Sequence, residues 1–216
     1  ELFDSFKAND DGVWHNGNLG SLGVGPDRIA EIVMQNSDNG AARLAGLRAV
    51  GSSINRRFDL HEAESGGIDA VSLMVRTDAS SRVQVYAEVV SDIDYSVVGY
   101  WSTPPGVWTE LGAASARSTP TAAWGVKNIS SLAVPPSSVT QFVITNDTLN
   151  SDKTAGARTV GSSQDRFVQL QEAESGGSDL VTMHANVDAN TDVEWYSESG
   201  TSGVFFYPVG AWILAP

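Results

Sequence analysis

The chain has 216 residues with a formal charge of -13, a sequence pI near 4.4 and 41% hydrophobic residues. Such a surface repels nucleic-acid phosphate, which argues against DNA or RNA as a partner, and no apolar run approaches the ~20 residues of a membrane helix. Cysteine is absent, so disulfides and thiolate metal sites are excluded.

Residues 1–25 read as a glycine- and asparagine-rich lead-in with a short strand near Val13-Trp14. Residues 28–36 have helical propensity, but the matching β-branched run Val139–Asn146 argues for strand in both places. Arg43 to Val50 is a further strand. Arg57 to His61 alternates polar and apolar residues and leads into a Glu-Ser-Gly-Gly turn. Ala70–Thr77, the face Val83/Val85/Ala87 and Tyr95–Trp101 complete the series, with Asp78-Ala79-Ser80-Ser81 as a turn. The second half repeats this through Val181, Val193–Trp195 and Val204–Tyr207.

The repetition is literal. Gly51-Ser52-Ser53 and Glu62-Ala63-Glu64-Ser65-Gly66-Gly67 return 110 positions later as Gly161-Ser162-Ser163 and Glu172-Ala173-Glu174-Ser175-Gly176-Gly177. Gly46, Arg48, Arg56, Asp69, Tyr86 and Glu88 keep the same spacing to Gly156, Arg158, Arg166, Asp179, Tyr196 and Glu198. So do Trp14 and Asn36 to Trp124 and Asn146, and a one-residue slip brings Gly99 and Trp101 onto Gly210 and Trp212. Short strands, closely spaced turns and no long helical period predict an all-β protein of two tandem antiparallel β-sandwiches. A jelly roll is the expected topology, with an immunoglobulin-like order as the alternative. The copies are placed at 1–103 and 107–216, joined through Ser102-Thr103-Pro104-Pro105-Gly106 read as a loop.

The three histidines fall at unmatched positions, and neither a nucleophile elbow nor a phosphate-binding loop occurs. A non-enzymatic protein is expected. The pairs Glu62/Glu64 and Glu172/Glu174, two residues apart, would share a strand face. With Asp69 and Asp179 they could converge on calcium; the alternative is a solvated face beside a glycine turn, which the residues favour, leaving the chain without a cofactor. Asp188–Glu194 lacks the glycine and distal glutamate of a calcium loop and reads as a hairpin turn. The recurring arginines are expected to pair as Arg56–Glu62 or Arg48–Glu64, or across subunits.

Trp14/Trp124 and Trp101/Trp212 read as core residues, being matched. Trp108, Trp195, Phe205, Phe206 and Tyr207 belong to no matched pair and are the candidates for a sugar-stacking platform or a protein interface. One of Phe205 and Phe206 must point away from its own core.

The run Gly-Leu-Arg-Ala-Val-Gly-Ser-Ser, then Arg-Arg-Phe-Asp-Leu-His-Glu-Ala-Glu-Ser-Gly-Gly and Val-Val-Gly-Tyr-Trp, resembles a repeat of β-rich proteins of marine bacteria and their tailed phages. The second copy departs from it with Phe167-Val168-Gln169 and Gly210-Ala211-Trp212. The resemblance implies a structural role on a virion or cell surface, and it carries no catalytic residues. The leading expectation is therefore a capsid decoration protein or a head or tail fibre component, located on the virion surface or extracellular. Its partners would be capsid or tail proteins, or further copies of itself as a homo-oligomer. A glycan-binding adhesion module and a filament or surface-layer subunit are the alternatives. The start at Glu1 rather than Met is read as a processed or incomplete chain.

Overall fold

The computed structural model describes residues 4–63, 69–102, 106–112, 116–117, 122–173, 177–198 and 203–214. The chain divides into two compact units, Glu1–Pro104 with Glu174–Gly177, and Pro105–Ala173 with Ser178–Pro216. Both are all-β.

In the first unit the strands are β1 (Asp4–Phe6), β2 (Trp14–Asn18), β3 (Ile29–Asn36), β4 (Arg43–Ala49), β5 (Arg57–Leu60), β6 (Asp69–Arg76), β7 (Arg82–Ala87) and β8 (Ile93–Trp101). They form two antiparallel sheets of order β1-β8-β3-β6 and β2-β7-β4-β5. That interleaving of a chain folded back on itself is the jelly-roll order, which decides against the immunoglobulin alternative. The 28–36 segment is strand, because Ala30, Ile32 and Met34 bury a period-two face that a helix would scatter.

The second unit has β9 (Gly106–Glu110), β10 (Ala116–Arg117), β11 (Gly125–Asn128), β12 (Ser138–Asn146), β13 (Lys153–Arg158), β14 (Val168–Leu170), β15 (Asp179–Val187), β16 (Asp192–Ser197) and β17 (Val204–Leu214). Its sheets are β10-β17-β12-β15 and β11-β16-β13-β14, the same order, with β9 added along β17. Gly106, read as part of a loop, instead begins β9 opposite Leu214; residues 103–105 lie outside the described residues. Both copies carry a bulge at the same place, between Glu31 and Ile32 and between Gln141 and Phe142. The one-residue slip of the repeat therefore falls earlier, in the connection leading into β17.

The repeated polar words staple the backbone. Asn36 is buried; its Nδ2 donates to the carbonyls of Ala41 (3.0 Å) and His61 (2.6 Å). Asn146 does the same to Ser151 (2.9 Å) and Gln171 (2.6 Å). Asp69 accepts the His61 N–H at 2.6 Å, and Asp179 accepts that of Gln171 at 2.6 Å. Glu88 and Glu198 accept from Leu44 and Thr154, each at 3.0 Å. Each such bond contributes about 0.5–1.5 kcal/mol, so the fold itself accounts for these repeated side chains. Gly51 and Gly161 have φ of +80° and +75° and open the turn after β4 and β13, where any other residue would be strained.

The two cores are filled differently. In the first, Tyr95 is buried, its ring stacks on Phe6 at 5.4 Å, and its hydroxyl donates to the Tyr86 carbonyl. Burial pushes that phenol's pKa well up. In the second, the equivalent Phe206 stacks on Trp195 at 4.3 Å and 8°, and Phe142 meets Trp195 edge-on at 6.3 Å.

Candidate functional site

Trp195 and Phe206 are 4% and 0% exposed, core residues of the second sandwich. The platform expected of them does not exist, because successive strand residues alternate faces and theirs point inward. Trp108 is 6% exposed and packs on Trp212 at 5.2 Å. Of the expected aromatics, Phe205 and Tyr207 remain half-buried on the outer face of β17, their rings 6.3 Å apart. The first copy has Asp94 and Ser96 there.

The expected carboxylate cluster is not assembled on a strand. β5 ends at Leu60, so Glu62 lies in the following loop rather than on a strand, as does Glu172 after β14. Asp69 and Asp179 spend an oxygen each on the backbone. Glu64 and Glu174 lie outside the described residues. Among the described residues no group of three or more His, Asp or Glu side chains is placed to hold a metal ion.

Glu62 does not take Arg56, and the expected Arg48–Glu64 pair lies outside the described residues. Arg56 donates to the Met74 carbonyl at 3.0 Å and Arg166 to that of His184 at 2.5 Å, the same bond in both copies. The turn at Asp188 is real, with Asp188 Oδ1 accepting from Asn190 and Asp192 at 2.8 Å. It is not a hairpin, since β15 and β16 belong to different sheets.

Arg48 and Arg158 cap tryptophans. Trp14, Tyr86, Gly46 and Arg57 form one cross-strand row on the outer face of the β2-β7-β4-β5 sheet. Trp14 and Trp124 are thus not core residues. The Arg48 guanidinium lies 4.1 Å from the Trp14 ring, Trp14 meets Tyr86 at 5.7 Å, and Arg57 covers Tyr86 at 4.8 Å. In the second copy Arg158 lies 4.1 Å over Trp124, which meets Tyr196 at 5.7 Å. Phe167 replaces Arg57, stacking on Trp124 at 5.2 Å and 19° and touching Tyr196 at 4.4 Å.

Glycine makes the row possible. A Cβ on Gly46 would stand 2.8 Å from the Trp14 ring and 2.9 Å from the Arg56 carbonyl. On Gly156 it would stand 2.1 Å from the Arg166 carbonyl. The indole lies where a side chain would otherwise be.

The arginines are held from the side. Arg48 Nε donates to Gln84 at 2.9 Å and Nη1 to the Ile54 carbonyl at 3.3 Å. Arg158 Nε donates to Glu194 at 2.5 Å, and Nη1 reaches Asp165 at 3.1 Å. Burial raises the Glu194 pKa, but the Arg158 bond and the Gly161 N–H outweigh it and hold the carboxyl below its ordinary value. Phe167 is 43% exposed, so this row ends in an open aromatic edge. Tryptophan, arginine, tyrosine and glycine of the row are repeated in the sequence, but their convergence on one face is a property of the fold.

A cavity of about 220 Å³ lies among Asp27, Ala49, Val50, Arg76, Thr77 and Asp78. Its polar groups serve the fold: Thr77 Oγ1 accepts from Arg28 at 2.9 Å, and Asp78 is clamped by Arg82 at 2.8 Å.

No protein-family model matches the chain, and no curated protein matches it. Among solved structures, the N-terminal CBM22-1-CBM22-2 tandem domain of Paenibacillus barcinonensis Xyn10C is 8% identical with a TM-score of 0.22. It covers 93% of this chain and 82% of that one. A likeness at this level leaves the site to be argued from this chain's own residues.

Proposed function

We propose that this protein is a non-catalytic tandem binding module that holds carbohydrate chains on the outer faces of its two Trp-bearing sheets. The observation that carries the reading is the duplicated row Arg48–Trp14–Tyr86 and Arg158–Trp124–Tyr196 on the outer sheet face of both copies, its tryptophans half-buried and Tyr86 buried beneath Arg57. Aromatic rings present flat apolar area to the C–H faces of sugars at small entropic cost. Guanidinium and carboxylate groups beside them offer the paired donors and acceptors that vicinal hydroxyls need. Two equivalent weak sites on one chain gain avidity on a repeating polymer.

The test is electrophoresis through gels containing soluble neutral polysaccharides, followed by calorimetry on any that retard the chain. Phe167→Ser should weaken binding by about tenfold, the effect of losing about 1.4 kcal/mol, without touching the core. Phe205→Ser and Tyr207→Ser should leave binding unchanged. Retardation by none of the polysaccharides, with the chain found at fixed stoichiometry on a particle, would replace this reading by the surface-structural one.

A further inference from the structure

The two Trp–Arg–Tyr rows are equivalent in position and differ in charge. In the second copy carboxylates engage both the guanidinium and the indole. Arg158 Nε donates to Glu194 at 2.5 Å. Asp165 Oδ1 accepts from Trp124 Nε1 at 2.8 Å and from Arg158 Nη1 at 3.1 Å. One cation thus stands between two anions, and the row runs out into the Phe167 ring.

In the first copy amides stand at both carboxylate positions, Gln84 for Glu194 and Asn55 for Asp165, and Arg57 stands for Phe167. Arg48 Nε donates to Gln84 at 2.9 Å and Arg57 Nε to Asn55 at 2.7 Å. The two guanidinium groups lie 4.1 Å and 4.8 Å over the rings of Trp14 and Tyr86. An amide oxygen orients a guanidinium without cancelling its charge, and a stacked guanidinium keeps its N–H donors in its own plane. All three exchanges make the first row more positive than the second. Asp59 is exchanged the other way for Gln169, but it stands opposite Leu44, one step along the sheet from the row.

We propose that the first row is a site for an anionic sugar, one bearing a carboxylate or sulfate group, while the second row takes a neutral one. The assignment rests on the carbohydrate reading above and names the class of residue that each row selects. Arg48 and Arg57 meet an anionic substituent with charge-assisted hydrogen bonds, about twice as strong as neutral ones. In the second row the same substituent meets Glu194 and Asp165 and is repelled. At physiological ionic strength the Debye length is about 8 Å, so these local groups, rather than the net charge of -13, decide which sugar is accepted. The avidity of the pair then falls on a polymer that carries both kinds of residue.

The probes are a 1,4-linked hexagalacturonate and its full methyl ester, which share a backbone and differ in charge, titrated into the 15N-labelled full chain at physiological salt. The acid should shift amides around Trp14, Arg57 and Tyr86, and the ester should bind there about tenfold more weakly, a difference of about 1.4 kcal/mol. Around Trp124 and Tyr196 the order should reverse. Arg57→Phe, which installs the second copy's own ring, should abolish the difference between the probes at the first row, whereas Arg57→Lys should keep it. Glu194→Gln combined with Asp165→Asn should let the second row accept the acid. A sulfated dextran oligomer forms a third arm: first-row shifts with it alone would name sulfate as the group, and with the galacturonate alone, carboxylate. Equal binding of acid and ester at the first row, or a preference for the acid that survives Arg57→Phe, would overturn the proposal and leave the carbohydrate reading standing. No shift with any of the three, while neutral polysaccharides still retard the chain, would overturn this assignment alone. Failure of the neutral polysaccharides as well would overturn both.

Discussion

The two sandwiches solve one packing problem from opposite sides. Beneath β8, Tyr95 receives its aromatic neighbour from β1, as Phe6. Beneath β17, Phe206 receives it from β16, as Trp195, while the β10 position opposite Phe206 is Ala116. Val85 stands where Trp195 does, and Phe6 where Ala116 does. A jelly roll thus fixes that a ring is stacked on this core ring, but not which strand delivers it. Interiors are close-packed, so one enlargement demands one reduction nearby.

The strongest way to break this comparison is Trp195→Val, which should cost about 3 kcal/mol because the ring over Phe206 is lost and a cavity remains. Urea denaturation of the full chain measures it, and hydrogen exchange locates the loss in the second copy. Adding Ala116→Phe should return at least ~1 kcal/mol by restoring the first copy's arrangement. Failure of the double variant to recover any stability would show that the two cores are not interchangeable.

Gly210→Ala comes next. Its Cβ would collide with the Trp108 indole, costing about 1–3 kcal/mol by overpacking, whereas Gly99→Ala should change the melting midpoint little. Equal effects in thermal melts would mean that the two edges are not distinguished by β9.

Tyr95→Phe gives the first copy the ring of the second, and should cost about 0.5–1.5 kcal/mol for the lost hydrogen bond to Tyr86. The reciprocal Phe206→Tyr is expected to cost at least as much, since it buries a hydroxyl in a site built for none.

The smallest effect is in acid. Arg48 is held by the neutral Gln84 and Arg158 by Glu194. The Glu194 carboxyl is held below its ordinary value, so its contribution is fully present above the unfolded carboxylate pKa and lost as pH falls through the folded one. Glu194→Gln should therefore lower stability by about 0.5–1 kcal/mol near pH 7 and flatten the decline on acidification. Gln84 offers no such pH dependence. A decline of unchanged steepness in Glu194→Gln would remove the ion pair from the account.

The sequence by itself determined the duplication, the sandwich class and the jelly-roll expectation, because alternation and turn chemistry are local and each was written twice. It also held every member of the Trp–Arg–Tyr row at constant spacing. What it could not convey was which side of a sheet each strand presents. Trp14 and Trp124 looked like core because they stand at matched positions, yet Gly46 and Gly156 let them lie on the outer face. Trp108 and Trp195 looked exposed because they were unmatched, yet both are buried, one by strand addition and one by the altered division of core volume. The carboxylates around the glycine turn left a ligand set open as the alternative to a solvated face, because two of them stand two residues apart in each copy. In the fold, Asp69 and Asp179 accept the backbone N–H of His61 and of Gln171 eight residues earlier, a pairing that exists only once the neighbouring strands have been brought together.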